Sequence, residues 1–186
     1  VVKAQVPTGK RGKAGGIKLA ATPDEARTHA KAIIGMQIAG HKVEQVLIEE
    51  QMPIERELYA AVLNDSSSKG PLVMFSTAGG MDIEELAATA PDQLRLKPVD
   101  IRSGFSHADA EKLIHGLGLG LAESKVADAL HKLYAVYAAC DAELVEINPL
   151  IVTRDGRVVA LDCKFVMDDS AVARHPAIAH AGTPEK

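Results

Sequence analysis

Residues 142–165 read Ala142-Glu143-Leu144-Val145-Glu146-Ile147-Asn148-Pro149-Leu150-Ile151-Val152-Thr153-Arg154-Asp155-Gly156-Arg157-Val158-Val159-Ala160-Leu161-Asp162-Cys163-Lys164-Phe165. Apolar and polar residues alternate on both sides of Arg154-Asp155-Gly156, the pattern of a β-hairpin. With those residues as a three-residue loop and Gly156 in the left-handed conformation that glycine tolerates, Thr153 pairs with Arg157. Asn148 then lies across from Asp162, and Glu146 across from Lys164. Because side chains alternate faces along a strand, these four share one face. Val145, Ile147, Leu161 and Cys163 share the other, which should be buried. A carboxylate opposite an amide offers two hard oxygens, a donor set suited to Mg²⁺ held jointly with substrate phosphates. The plainer alternative is a solvated face carrying one cross-strand Glu–Lys pair, worth under about 1 kcal/mol. A two-residue turn would slip the register by one and separate Asn148 from Asp162.

Outward from the hairpin, strands and helices are mixed. Strands are expected over 1–6, 17–20, 45–50, 54–64, 72–77 and 94–99, and helices over 22–38, 82–89, 107–118 and 123–139. Thr22-Pro23-Asp24-Glu25 is a strong helix start, with Thr22 as N-cap and Glu25 closing a capping box. Gly40 should end that helix. Val126, Leu130, Leu133, Val136 and Tyr137 mark one face of the last helix. With antiparallel hairpins among the strands, the class is α+β. The expected organisation is 1–50, 51–167 and a strap or linker over 168–186. Val1-Val2-Lys3 opens in mid-strand, so a piece of a longer chain is expected.

Pro7-Thr8-Gly9-Lys10-Arg11-Gly12-Lys13-Ala14-Gly15-Gly16 holds four glycines and three cations. Such a loop brings backbone N–H groups close to phosphate oxygens. It is neither a Walker loop nor a dinucleotide fingerprint, since it leads into a strand. Lys3, an ammonium in an otherwise apolar strand just before the loop, calls for an anion; a flexible hairpin tip is the alternative reading. Glu49 ends a strand beside apolar residues, Met52-Pro53 breaks the chain, and Glu57 sits on the next strand. A base amine or ribose hydroxyl could be received there, although from these residues alone plain surface acid is the favoured reading.

Composition removes several classes. A net charge of −4 and 3% aromatic residues argue against nucleic-acid binding. No apolar run approaches a membrane span, and the start lacks a signal-peptide pattern. Two cysteines, Cys140 and Cys163, make neither a disulfide framework nor a zinc site. Both read as small buried hydrophobes in a cytosol-like compartment.

Taken together, Val1-Val2-Lys3, Arg11-Gly12-Lys13-Ala14-Gly15-Gly16, Glu49 with Glu57-Leu58-Tyr59, Ser76-Thr77-Ala78-Gly79-Gly80, Glu146-Ile147-Asn148-Pro149-Leu150 and Leu161-Asp162-Cys163-Lys164 resemble the ATP-grasp region of the succinyl-CoA synthetase (succinate–CoA ligase) β-subunit family. The resemblance runs in order over nearly the whole chain. It implies an ATP-grasp fold, in which two α+β lobes hold ATP (or GTP). It implies Lys3, Lys10, Arg11 and Gly12 at the phosphates, Glu49 and Met52 at adenine, Glu57 at the ribose, and Asn148 and Asp162 as ligands of Mg²⁺. Glu146 stands where the family has a catalytic carboxylate near a histidine of the α subunit. That histidine takes the phosphoryl group and passes it to succinate, and CoA then forms the thioester. The implied partners are the α subunit, which carries the phosphohistidine and the CoA site, a carboxylic acid and ATP, with no nucleic acid or membrane. The compartment implied is the cytoplasm, or the mitochondrial matrix in a eukaryote. The chain start and the CoA-ligase domain of the family are expected to be missing. Where the family has His-Ala-Gly-Gly before the arginine, this chain has Pro7-Thr8-Gly9-Lys10, so malate or citrate remain alternatives to succinate. So does a non-catalytic nucleotide-sensing or assembly module.

Overall fold

The computed structural model describes residues 1–9, 11–81 and 83–182. The chain divides into two compact units, one formed by Val1–Met52 and the other by Pro53–Gly182. Residues 168–182 group with the second unit.

In the first unit, β1 (Val2–Gln5) lies between β2 (Ile17–Lys18) and β5 (Gln45–Ile48), antiparallel to both. Val2 and Ala4 are buried against Ile33 of helix α1 (Pro23–Ile33), with Ile38 and Val43 completing the cluster. The Thr22 hydroxyl accepts the Glu25 N–H at 3.2 Å, and Glu25 reaches back to the Ala21 N–H at 2.7 Å. The helix ends earlier than its apolar spacing suggests. Gly35 follows it with φ +89°, and 37–42 form a small hairpin of β3 (Gln37–Ile38) and β4 (His41–Lys42). Ile38 keeps its buried place by folding back as a strand residue, which periodicity alone reads as one more helical turn.

The second unit is a sheet in the order β10 (Val158–Ala160), β9 (Ala142–Thr153), β6 (Ile54–Asp65), β7 (Gly70–Ser76), β8 (Leu94–Pro98), with β11 (Cys163–Met167) also paired to β9. Every pairing is antiparallel. The β6–β7 turn is held by Asp65, whose carboxylate accepts the N–H groups of Ser67 and Ser68. Two of the helices, α3 (His107–Ile114) and α4 (Glu123–Ala139), cover one face. The other helices of this unit are α2 (Ile83–Thr89) and α5 (Pro176–Ala181). The expected first residue of α2, Asp82, lies outside the described residues. Leu58, Ala60, Val62, Val73 and Phe75 supply the sheet side of the core; Ala110, Ile114, Val126, Leu130 and Leu133 supply the helix side. Val136, expected on the buried stripe, is exposed instead. α3 opens on a capping box between Ser106 and Asp109, a device that satisfies two otherwise unpaired groups at once. No helix among the described residues is long and apolar enough to cross a membrane.

Candidate nucleotide and phosphoryl-transfer site

The last hairpin has the turn expected of it. Gly156 adopts φ +74°, its N–H donates to the Thr153 carbonyl, and Thr153 and Arg157 pair across the loop. Val158 pairs with Val152, Ala160 with Leu150, Cys163 with Ile147 and Lys164 with Glu146, the register that a three-residue loop dictates.

The β6–β9 register shifts at Ile54/Arg56 and again at Leu58/Ala60, and the second shift lies at the candidate residues. On its other side β9 pairs Leu150 with Leu58 but Ile147 with Ala60, so Asn148 and Pro149 together face the single residue Tyr59. This is a β-bulge: two residues oppose one, and the strand turns over by one position. Val145 before the bulge and Leu150 and Val152 after it therefore all face the helices. Opposite the bulge, Leu161 and Asp162 fall between β10 and β11, with the Leu161 N–H reaching the Pro149 carbonyl at 3.2 Å. Pro149, which follows a cis peptide bond, has no N–H for the ladder, and a proline inside a strand is confined to such breaks. Asn148 and Asp162 remain opposite one another by count, at the point where both strands leave the ladder.

A turn built from Ala78-Gly79-Gly80-Met81 closes over this point. The Gly79 N–H donates to the Glu57 carbonyl at 3.0 Å, and the Ser76 hydroxyl accepts the Ala78 N–H. Asn148 clasps the turn with both ends of its amide: Oδ1 accepts the Gly80 N–H at 2.8 Å, and Nδ2 donates to the Met81 carbonyl at 2.9 Å. Gly79 lies so close to β6 that a Cβ would stand 2.5 Å from Leu58 N. Gly80 has φ +71°, and a Cβ there would overlap the Glu57 carboxylate. One turn thus sets the positions of Glu57 and Asn148 together. Sequence reading quoted Gly79 and Gly80 but gave them no role; the glycine pair directly after a strand was the available signal.

Next to Asn148, the Glu146 carboxylate accepts a hydrogen bond from the phenol of Tyr59 at 3.0 Å. Tyr59 is buried. Desolvation first, and then the negative charge of Glu146, push its phenol far above the usual range, so it stays a donor at any physiological pH. Lys164 pairs with Glu146 from the other side, and Ala61 is the small neighbour on β6. Cys163 is exposed and Cys140 half-buried, which corrects the expectation that both are buried. Desolvation of the Cys163 thiol, with the charges of Asp162 and Glu146 beside it, raises its pKa.

The candidates in the first unit form their own arrangement. Lys3 Nζ meets Glu49 Oε2 at 2.5 Å, a diagonal pair across β1 and β5, whose register places Lys3 opposite Leu47. Sequence reading assigned these two residues to different parts of a nucleotide; in the structure they touch. Arg11 is buried, with its guanidinium donating to the Ala4 carbonyl at 2.9 Å. The loop closes on itself, the Gly15 N–H reaching the Gly12 carbonyl and the Gly16 N–H the Arg11 carbonyl. Lys10 lies outside the described residues. Met52 is half-buried at the end of the unit.

Among the described residues no three His, Cys, Asp or Glu side chains gather closely enough to cage a metal ion. Asn148 and Asp162 offer an amide oxygen and a carboxylate, a donor pair whose chemistry fits a cation completed by phosphates and water, as Mg²⁺ commonly is. Asn148 Oδ1 accepts one hydrogen bond from Gly80, and a carbonyl oxygen has a second lone pair.

The model of the ATP-grasp domain (ATP-grasp_2) matches residues 1–152. The chain belongs to the ATP-grasp family. This ATP-grasp chain is 46% identical over 179 residues to the β subunit of a GDP-forming succinate–CoA ligase of Thermus thermophilus, covering 96% of the chain and 47% of that protein. With the β subunit of the ADP-forming succinate–CoA ligase of Rubrobacter xylanophilus the identity is 48%, over 96% of the chain and 47% of that protein. The chain spans about half the length of the curated relatives it matches. Among solved structures, ATP citrate lyase from Methanothrix soehngenii, in complex with citrate and coenzyme A, superposes with a TM-score of 0.78 at 25% identity, covering 99% of this chain and 42% of that one. Acetyl-coenzyme A synthetase 1 of Ca. Korarchaeum cryptofilum shares the fold, with a TM-score of 0.70 at 22% identity over 90% of this chain and 75% of that one.

Proposed function

We propose that these residues are the nucleotide-binding part of an acid–CoA ligase of the succinate–CoA ligase type, which transfers a phosphoryl group from ATP or GTP to a histidine of a partner α subunit. The observation that carries the reading is the single Gly79-Gly80 turn that positions both Glu57 and Asn148, with Glu146 adjoining on the same strand. In this reading Glu57 receives the ribose hydroxyls, Glu49 and Met52 lie toward the base, and Lys3, Lys10, Arg11 and Gly12 toward the phosphates. Asn148 and Asp162 would hold Mg²⁺, which neutralises phosphate charge. The bond from the γ-phosphorus to the nucleotide oxygen breaks, a bond to an imidazole nitrogen forms, and the diphosphate leaves. Catalysis of such a step is mostly positioning and charge neutralisation. Glu146 accepts the N–H of the other imidazole nitrogen and holds the ring in line. The phosphoryl group then passes to the acid, and CoA displaces it. An α subunit, a carboxylic acid and a cytoplasmic or mitochondrial-matrix compartment belong to the same proposal. Succinate is favoured over citrate because identity to succinate–CoA ligases is well above that to the citrate lyase.

The test is single-turnover phosphorylation of the partner histidine by the complete protein assembled with its α subunit. Asp162→Ala removes the one full negative charge of the metal pair and should slow the step about 10²-fold at saturating nucleotide, the scale of losing one electrostatic stabiliser. Asn148→Ala should cost less, since water can replace a neutral ligand. A wild-type rate in Asp162→Ala overturns the assignment. Nucleotide binding with no histidine phosphorylation in the wild type would favour the non-catalytic sensing module.

A further inference from the structure

The hydrogen bond between Tyr59 and Glu146 joins residues 87 positions apart in sequence, and two features of the fold make it. The bulge at Asn148-Pro149 leaves Tyr59 facing two residues of β9 where it would otherwise face one. The direct neighbour of Glu146 on β6 is Ala61, whose methyl is too short to block the phenol. Tyr59 is only 2% exposed, yet it stands apart from the helix-covered core to which its neighbours Leu58 and Ala60 belong. Packing alone would be served there by phenylalanine. The hydroxyl is accounted for by the carboxylate.

A carboxylate on a two-carbon stem rotates about three bonds, and an acceptor must be held in direction as well as in place to orient a second group. The phenol engages Oε2. Oε1 is the oxygen left to receive a donor from elsewhere. Lys164 is the residue directly opposite Glu146 on β11.

We propose that Tyr59 is a positioning residue for phosphoryl transfer, its O–H fixing the rotation of the Glu146 carboxylate so that Oε1 receives the N–H of the imidazole that takes the phosphoryl group. The inference rests on the role given to Glu146 above, and it adds a residue that touches neither nucleotide nor imidazole. Tyr59→Phe keeps the ring and removes one oxygen, so the fold should hold, with the thermal midpoint checking this directly. In the complete protein with its α subunit, Tyr59→Phe should slow histidine phosphorylation by about 10- to 100-fold at saturating nucleotide, the worth of one hydrogen bond to a charged group, with the nucleotide KM unchanged. The double variant Tyr59→Phe/Glu146→Gln should be no slower than Glu146→Gln, because Tyr59 acts only through that carboxylate.

The outcomes separate the two claims. A wild-type rate in Glu146→Gln overturns the role of Glu146. A slow Glu146→Gln beside a wild-type Tyr59→Phe overturns the positioning of Glu146 by Tyr59 and leaves the role of Glu146 standing. A double variant slower than Glu146→Gln shows that Tyr59 acts by another route and also overturns the inference.

Discussion

Replacing Gly80 by alanine tests the turn on which the site is built. Two costs arise from the geometry. A side chain at φ +71° costs about 1–2 kcal/mol relative to glycine. The new Cβ would also overlap Glu57 Oε2. Glu57 is exposed, so its carboxylate can swing aside; if the turn shifts instead, the Gly80 N–H to Asn148 bond is lost, for about 1 kcal/mol net. The total is about 1–3 kcal/mol, and with a urea m-value of about 2 kcal/mol/M the midpoint should fall by about 0.5–1.5 M. The chain has no tryptophan, and its three tyrosines, Tyr59, Tyr134 and Tyr137, all lie in the second unit. Tyrosine fluorescence therefore reports the unfolding of that unit alone. Gly79→Ala should be worse, because its Cβ meets the Leu58 backbone, which cannot swing away. Adding Glu57→Ala to Gly80→Ala removes the overlap and should return part of the loss, leaving the backbone cost. If Gly80→Ala leaves the midpoint within about 0.2 M of the wild type, a difference well under 1 kcal/mol, the turn is not held as described.

Two further outcomes follow from the surroundings. Hydrogen bonds from Arg174 first and His175 second hold the Asp141 carboxyl below its usual range, and they tie residues 168–182 to the start of β9. A depressed folded-state pKa gives stability that is complete above the unfolded value and is lost as pH falls through the folded one. Amide protection in 168–182 should therefore hold at neutral pH and fall below about pH 4, near the unfolded carboxyl value, and Asp141→Asn should remove that dependence; unchanged protection down to pH 2 refutes the tie. Cys163, though exposed, has a raised thiol pKa from desolvation and the charges of Asp162 and Glu146, so iodoacetamide should label it slowly at pH 7. Asp162→Asn should speed labelling at fixed pH, and an unchanged rate would show that this charge does not reach the thiol.

The parts of the site differ in how far local chemistry determines them. The hairpin register was readable because it depends on a single residue, Gly156, whose conformation sets the loop length and so every pair beyond it. The bulge was not, because alternation was carried straight through Asn148-Pro149; the signal was Pro149 itself, a residue with no N–H inside a strand. The early end of α1 was hidden by Ile38, which is buried as a strand residue at a spacing that also fits a helix. The Lys3–Glu49 pair follows once β1 and β5 are known to be neighbours, since both residues then lie on one face, but strand order is a property of the whole unit. Tyr59 on Glu146 and Gly80 on Asn148 lie further still from local chemistry, joining residues 87 and 68 positions apart. Both contacts exist because one proline-bearing bulge shifts β9 by a residue, so the deviation from regular pairing is what brings the ribose candidate, the metal candidate and the catalytic candidate of this unit together. A regular strand in its place would turn Leu150 and Val152 away from the face that Val145 occupies and lose that convergence as well, which is why a rule broken at Pro149 marks the site more clearly than any rule obeyed elsewhere in the sheet.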